Sequence, residues 1–178
     1  MFFQQQKLFG NLSRYPRNMK VFISLFILFM GAGFHSIAQE VSPLSFTELN
    51  AMLQEKSGKT RMVNLWATWC KPCVEELPLF MKAKDEMKQD SIDFIFVSVD
   101  FQSQKQAVSD KVKQLNLSGT LIHLNEKGND WIDQLDPNWS GAIPFTIMIL
   151  PDGRRIYHYD AFENYEDIKN FLGKNLPN

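Results

Sequence analysis

The chain has 178 residues, of which 44% are hydrophobic and 22% charged, a composition ordinary for a globular protein with room for one full core. Its net charge of -1 conceals an asymmetry, because residues 1–38 carry four basic side chains and no acidic one, which leaves -5 on residues 39–178. A mildly acidic body with scattered lysines lacks the basic surface that nucleic-acid binding requires, so no nucleic-acid partner is predicted.

The first 38 residues have the pattern of a secretory signal peptide. Basic residues precede the apolar run VFISLFILFMGAGF, and small residues precede a polar junction. We predict cleavage after Ala38 and a mature domain over residues 39–178, exported to the periplasm. The alternative is an uncleaved anchor, which could span the membrane if tilted and would then be the chain's membrane contact. Met19 is a second candidate start, because MKVFISLF is a complete signal opening.

Helices and strands alternate along the predicted mature domain. A Ser-x-x-Glu capping box and a closing glycine predict a helix over 45–58, and the apolar run at 60–67 predicts a strand buried on both faces. A helix follows the two cysteines, and Pro78 inside it should produce a kink. The pattern continues with a strand at 92–100, a helix at 103–117, a strand at 121–125 and a short helix at 128–136.

The C-terminal part of the chain predicts a hairpin and a closing helix. The segment AIPFTIMILPDGRRIYHYD contains two strand-like runs around Pro-Asp-Gly-Arg, and NYEDIKNFLGKN has a helical pattern. Together with the alternating elements before them, these segments predict an α/β sandwich. Its central mixed β-sheet would be flanked by helices, with parallel strands inside and the hairpin at one edge.

Both cysteines of the chain lie in the segment ATWCKPC. A disulfide across two intervening residues closes too short a loop to add much stability, so a structural bridge is disfavoured. The strand is predicted to end near Ala67 and the helix to begin near Cys70, where free amide groups and the helix dipole favour a thiolate. Lys71 adds positive charge, and Pro72 suits a first helical turn because it has no amide hydrogen.

This placement predicts a redox pair. We expect Cys70 to be an exposed nucleophile of low pKa and Cys73 to be a shielded resolving thiol, the two cycling between dithiol and disulfide. A zinc site would need two more ligands, and residues 39–178 contain only His123 and His158, neither at ligand spacing, so no metal is predicted.

The segment NLWATWCKPCVEELP resembles the active-site segment of the thioredoxin superfamily, and most closely its exported TlpA-like branch, which includes the thiol reductases of cytochrome c maturation. The resemblance runs from about Leu44 to the C-terminus and implies a thioredoxin-like three-layer sandwich. It implies that Pro144 is a cis-proline facing the cysteines and that the backbone of Ile143 contacts a substrate chain. Pro78 matches the proline that kinks the active-site helix in this family.

The resemblance also implies a role for Glu76, which matches a glutamate that tunes the cysteines and handles protons in the maturation reductases. The alternative is an exposed acid that interacts favourably with the helix dipole. Asn64 departs from ordinary thioredoxins, which have a buried aspartate there. Glu76 is therefore left as the nearest candidate for proton transfer to Cys73.

The four tryptophans receive different predictions. Trp69 is expected to form an apolar rim of the substrate groove, and Trp66 to lie in the core. Trp131 and Trp139 fall in the family's variable insertion, where packing is the favoured role and a groove wall the alternative.

The sequence as a whole predicts an exported thiol–disulfide oxidoreductase that reduces disulfides in exported proteins and is itself re-reduced by a membrane-spanning electron donor. No cofactor is predicted, because no nicotinamide or flavin site is apparent. One alternative is an oxidase or isomerase of the same fold, because the motif does not determine the direction of exchange. A second is a copper-binding module, which is disfavoured because no histidine or methionine lies at a fixed spacing from Cys70 and Cys73.

Overall fold

The computed structural model describes residues 40–86 and 92–176, and the account below concerns these residues. The predicted leader over residues 1–38 and its cleavage position lie outside them. Within the described ranges, no helix combines the length and the apolar character that a membrane span would need.

Six strands form one mixed sheet in the order β1-β4-β3-β2-β5-β6. The first four in this order are parallel, whereas β5 is antiparallel to β2 and forms an edge hairpin with β6. This confirms the predicted mixed sheet with its hairpin at one edge. The strands are β1 (Ser42–Leu44), β2 (Thr60–Trp66), β3 (Ile92–Ser98), β4 (Thr120–Leu124), β5 (Phe145–Ile149) and β6 (Arg155–His158).

The strand β1 was not predicted from the sequence. It has three residues with Pro43 at its centre, and it pairs with β4 at the far edge of the sheet. Proline has no amide hydrogen for a ladder bond, so it is confined to edge strands and weakens any strand pattern in the sequence.

Five helices cover the sheet: α1 (Phe46–Gln54), α2 (Lys71–Glu86), α3 (Lys105–Gln114), α4 (Asp130–Leu135) and α5 (Tyr165–Asn175). The predicted capping box of α1 is present, since Ser45 and Glu48 bond each other's backbone amides. That helix ends at Gln54, before the predicted end at Gly58, which instead has a positive φ of 72° in the loop. Pro78 lies inside α2, and the kink expected there stays a prediction.

Two hydrophobic cores lie on opposite faces of the sheet, which makes the three-layer sandwich. All seven residues of β2 are buried, with Met62 and Trp66 in one core and Val63 and Leu65 in the other. Helices α2, α3 and α5 contribute to the first core, and α1 and α4 to the second. The prediction that β2 is buried on both faces is confirmed.

Candidate active site

The two cysteines lie in the turn that joins β2 to α2. The Cys70 amide donates to the Ala67 carbonyl at 3.1 Å, and Cys70 precedes the first helical residue, Lys71. The cysteines form a disulfide with 5.3 Å between their Cα atoms. The Cys73 amide donates to Cys70 Sγ at 3.3 Å. A helix-terminal amide that points at this sulfur stabilises negative charge on it, which is what a thiolate nucleophile requires.

The two cysteine residues differ in solvent exposure, but less than predicted. Cys73 is completely buried and Cys70 is 6% exposed, so the prediction of an exposed Cys70 is wrong for this disulfide form. The reason is the segment before β5, whose Ile143 carbonyl oxygen lies 3.7 Å from Cys70 Sγ and covers it. Cys70 nevertheless remains the more accessible of the pair.

The segment before β5 contains a cis peptide bond between Ile143 and Pro144, as the family resemblance implied. Pro144 is buried and directly precedes β5, while Ile143 is half-buried. The Ile143 carbonyl therefore lies beside the disulfide. Its contact with a substrate chain stays a prediction.

Glu76 lies on α2, three residues after Cys73, and is 1% exposed. Its Oε1 accepts a hydrogen bond from Asn64 Nδ2 at 2.7 Å, and its Oε2 accepts one from the Phe162 amide at 2.9 Å. Burial raises the pKa of Glu76 to about 7, although both hydrogen bonds act to lower it. The alternative of an exposed acid is therefore wrong for Glu76, because the side chain points into the core.

Asn64 joins Glu76 to the sheet. Its Nδ2 also donates to Thr146 Oγ1 at 3.1 Å, and Asn64 and Thr146 face each other across β2 and β5. All three side chains are buried. The position where ordinary thioredoxins have an aspartate thus holds a neutral amide, and the ionisable side chain that this amide contacts is Glu76.

Lys71 and Pro72 form the first turn of α2, as predicted from the sequence. Lys71 Nζ lies 3.6 Å from Glu75 Oε1, and both side chains are largely exposed. Glu75 is therefore the solvated acid of this turn. Its ion pair with Lys71 screens the positive charge beside Cys70.

Sequence reasoning missed Asp100, which follows β3 and is 3% exposed. Its carboxylate accepts hydrogen bonds from the Thr68 amide at 3.0 Å, from Thr68 Oγ1 at 2.5 Å and from Ser98 Oγ at 2.8 Å. Its carbonyl oxygen lies 2.8 Å from His123 Nε2. Asp100 thus fastens the turn before Cys70 to β3. The sequence did contain one indication of this residue: an acidic side chain that follows the carboxyl end of a buried strand. Functional sites of α/β sheets lie at the carboxyl ends of the strands.

The tryptophans divide between core and surface. Trp66 is buried in the core, as predicted, and Trp69 is 59% exposed. Trp139 is buried and stacks on Phe145 with ring centroids 4.4 Å apart. Trp131 contacts Trp139 with centroids 5.6 Å apart, so both pack against aromatic neighbours, and their alternative role as a groove wall stays a prediction. Trp69, Trp131 and Trp139 also line a common cleft of about 220 Å³.

Both histidines of the described residues contact other parts of the fold rather than the cysteines. His123 bonds the Asp100 backbone, and His158 stacks on Phe162 with ring centroids 4.1 Å apart. Burial lowers the pKa of His158, against the opposing charges of Asp160 and Asp167. Within residues 40–86 and 92–176, no three histidine, cysteine or acidic side chains are grouped to hold a metal ion.

Comparison with known proteins gives consistent matches. A protein-family profile described as Redoxin matches residues 44–172. The thiol-disulfide oxidoreductase ResA of Bacillus cereus is 27% identical over 125 residues, which cover 70% of this chain and 68% of that protein. The sporulation thiol-disulfide oxidoreductase A of Bacillus subtilis is 32% identical over 72 residues, 40% of this chain and 43% of that protein.

Solved structures match the fold as well. The crystal structure of a thioredoxin-related protein from Neisseria meningitidis serogroup B superposes with a TM-score of 0.54 at 26% identity. The match covers 65% of this chain and 83% of that one. The mixed sheet with helices on both faces is therefore a thioredoxin-like fold.

Proposed function

The chain belongs to the Redoxin family and is a thiol–disulfide oxidoreductase, and we propose that it acts as a reductant of protein disulfides outside the cytosol. The observation that carries thiol–disulfide exchange is the Cys70–Cys73 disulfide at the start of α2, with the Cys73 amide directed at Cys70 Sγ, whereas the proposed reducing direction rests on Glu76. That amide favours a thiolate on the sulfur of Cys70, the less buried residue of the pair.

The exchange proceeds in two steps. The Cys70 thiolate attacks one sulfur of a substrate disulfide, forms a mixed disulfide and releases the other substrate sulfur as a thiolate. Cys73 then loses its proton and attacks Cys70 Sγ, which forms the Cys70–Cys73 bond and releases the second substrate thiolate. Two electrons pass from the protein to its substrate. Glu76 is the proposed acceptor of the Cys73 proton, because its pKa of about 7 allows both protonation states near neutral pH.

The reducing direction is supported by the position of Glu76. A dithiol pair becomes a strong oxidant when its reduced form is stabilised. Glu76 lies one helical turn after Cys73, and its negative charge, once ionised, disfavours a thiolate there. An ionised Glu76 therefore keeps Cys73 from gaining the thiolate stabilisation that strongly oxidising pairs have, which supports the reducing direction.

The substrate would bind against Trp69 and the Ile143–Pro144 backbone beside Cys70. We propose disulfide-bearing exported proteins as substrates and a membrane electron donor for re-reduction. Export is supported by the leader pattern of residues 1–38. The compact unit that contains the sheet starts at Gln39, which supports the proposed domain boundary after Ala38. The proposed location is the periplasm, with the protein either released by cleavage after Ala38 or held by its leader.

A redox titration of the two thiols tests the direction of exchange. We expect a single two-electron transition near about -270 mV or lower, the range of thioredoxin-type reductants. A value near about -120 mV would mean that the protein donates disulfides. The absence of a reversible transition would contradict exchange at this pair altogether.

A further inference from the structure

A cleft of about 220 Å³ opens beside the turn that carries Cys70. Its walls include Trp69 and Phe101, which are 59% and 76% exposed. Within the described ranges, Tyr159 is the one other large hydrophobic residue exposed to a comparable degree. Large apolar side chains that meet at one exposed place, rather than being scattered singly, indicate a contact surface.

The cleft combines aromatic walls with negative charge. Its lining contains the carboxylate residues Asp100 and Glu126 but no lysine, arginine or histidine. Glu126 Oε1 accepts a hydrogen bond from the Phe46 amide at 2.5 Å, and no basic side chain of the described residues forms an ion pair with Glu126. Aromatic rings and a carboxylate that has no ion-pair partner in the described residues both attract a cation, and the aliphatic stem of lysine or arginine packs on apolar walls.

The wall of the cleft on the Trp139 side is ordered by contacts within the domain. Trp139 stacks on Phe145, and its Nε1 donates to the Ala142 carbonyl at 2.7 Å. Gly141 has a φ of 83°, and a Cβ there would lie 2.7 Å from Ile132 Cδ1, so a larger residue would disturb this side of the cleft. A site with walls already ordered loses little conformational entropy when it binds a side chain.

The cleft adjoins the reacting sulfur through the chain itself, because Trp69 directly precedes Cys70. A substrate joined to Cys70 brings its flanking residues with it, and each extended residue spans roughly 3.4 Å. Residues within a few positions of the substrate cysteine therefore reach the cleft. The net charge of -5 on residues 39–178 attracts cationic partners in the same direction.

We propose that this cleft is a specificity site for a lysine or arginine side chain of the substrate polypeptide, located within a few residues of the cysteine that bonds to Cys70. The cationic head pairs with Glu126, and the stem packs on Trp69 and Phe101. This inference rests on the proposed exchange function and names the class of substrate that the site prefers.

The test uses the reduced full-length protein and a set of synthetic peptides. Each peptide carries one cysteine in a mixed disulfide with 2-mercaptoethanol, and arginine, glutamine, phenylalanine or glutamate is placed in turn at each of four positions on either side. We expect arginine to react about three- to tenfold faster than glutamate at the best position. Raising the salt concentration to 1 M should bring this ratio close to one.

Variants assign the preference to the cleft. Glu126→Gln keeps the oxygen that accepts from Phe46 and removes the charge, so the arginine-to-glutamate ratio should fall at least threefold. Phe101→Ala should lower the rate for the arginine peptide. Glu166→Gln is the matched control, because it removes one charge from an exposed carboxylate on α5, whose helix packs on the other face of the sheet. It should leave the ratio unchanged.

Three results would overturn the proposal. The first is equal rates for arginine and glutamate at every position at low salt. The second is an arginine preference that Glu126→Gln and Glu166→Gln alter equally, which would reflect the overall charge of the protein. The third is a preference for phenylalanine with no effect of charge, which would make the cleft an apolar subsite. Hydroxyethyl disulfide, a small neutral substrate, separates these from failure of exchange itself: if it is not reduced, the exchange function and this inference fail together.

Discussion

At the scale of single residues, Glu76 couples the site to the stability of the fold. Burial raises its pKa from 4.5 to about 7. Between these values the folded protein holds a proton that the unfolded chain has released. The contribution of Glu76 to stability is therefore greatest below pH 4.5 and is lost as the pH rises to about 7. A shift of this size corresponds to about 3 kcal/mol.

Substituting Glu76→Gln should remove this dependence on pH. Between pH 4.5 and pH 7.5 the free energy of unfolding of the native protein should fall relative to that of the variant by about 3 kcal/mol. The amide is tolerated because Asn64 Oδ1 has no hydrogen-bond partner in the described residues and can accept from it after a rotation of the Asn64 amide. Urea denaturation at several pH values measures the difference.

The neighbouring variant Glu75→Gln is the control for this measurement. Glu75 is exposed and ion-paired with Lys71, so its loss should leave the pH profile of stability parallel to that of the native protein. If the native protein and Glu76→Gln also gave parallel profiles, Glu76 would not hold its proton at neutral pH, and its proposed part in proton transfer would lose its support.

At the scale of elements, the turn between β2 and α2 depends on β3. Asp100, just after β3, accepts hydrogen bonds from the amide and the hydroxyl of Thr68, two residues before Cys70. The two parallel strands end side by side, because Trp66 pairs with Ser98 in the ladder. The cysteine turn is therefore held from outside by a neighbouring strand as well as by its own helix.

Replacing Asp100 with asparagine should loosen this turn. The amide group cannot accept from all the donors that the carboxylate serves, so we expect a loss of about 1–3 kcal/mol in the free energy of unfolding. The rate at which reduced Cys70 reacts with hydroxyethyl disulfide should fall as well, because the turn no longer holds the sulfur in one position.

Ser98→Ala is the companion variant to Asp100→Asn. It removes one donor to Asp100 and leaves both contacts to Thr68, so it should cost stability without slowing Cys70. Equal rates for Asp100→Asn and the native protein would show that Asp100 only stabilises the fold.

At the scale of the whole molecule, strand direction assembles the site. The strand β2 ends at the cysteine turn, and β5 is antiparallel to it, so β5 begins where β2 ends. The pairing of Leu65 with Phe145 brings Ile143 and Pro144 beside Cys70, although more than 70 residues separate them in the chain. If β5 were parallel to β2, this proline would lie at the opposite end of the strands, away from the cysteines.

The proposed domain boundary after Ala38 gives a prediction at this scale. A chain that starts at Gln39 should fold alone, because both described cores and the six-stranded sheet lie within residues 40–176. We expect a single cooperative unfolding transition and the same reduction potential as the full-length protein. A broad transition, or loss of reversible redox behaviour, would mean that residues 1–38 contribute to the folded domain.

The sequence by itself determined the features that depend on neighbouring residues. Capping at Ser45, the apolar run of β2 and the turn of the hairpin act over a few residues, so their patterns are visible in the chain. The motif placed Cys70 at a helix start for the same reason. Family resemblance, rather than any local pattern, indicated Glu76 and the cis-proline.

Tertiary structure alone decided the contacts between distant segments. Three contacts of this kind join residues far apart in the chain. The Ile143 carbonyl lies against Cys70, the Phe162 amide donates to Glu76, and Asp100 accepts from Thr68. The same holds for the cleft, whose walls come from four separate segments of the chain. The order and direction of the six strands determine which segments meet. That order depends on the free energy of the whole sheet, so no local sequence pattern predicts it.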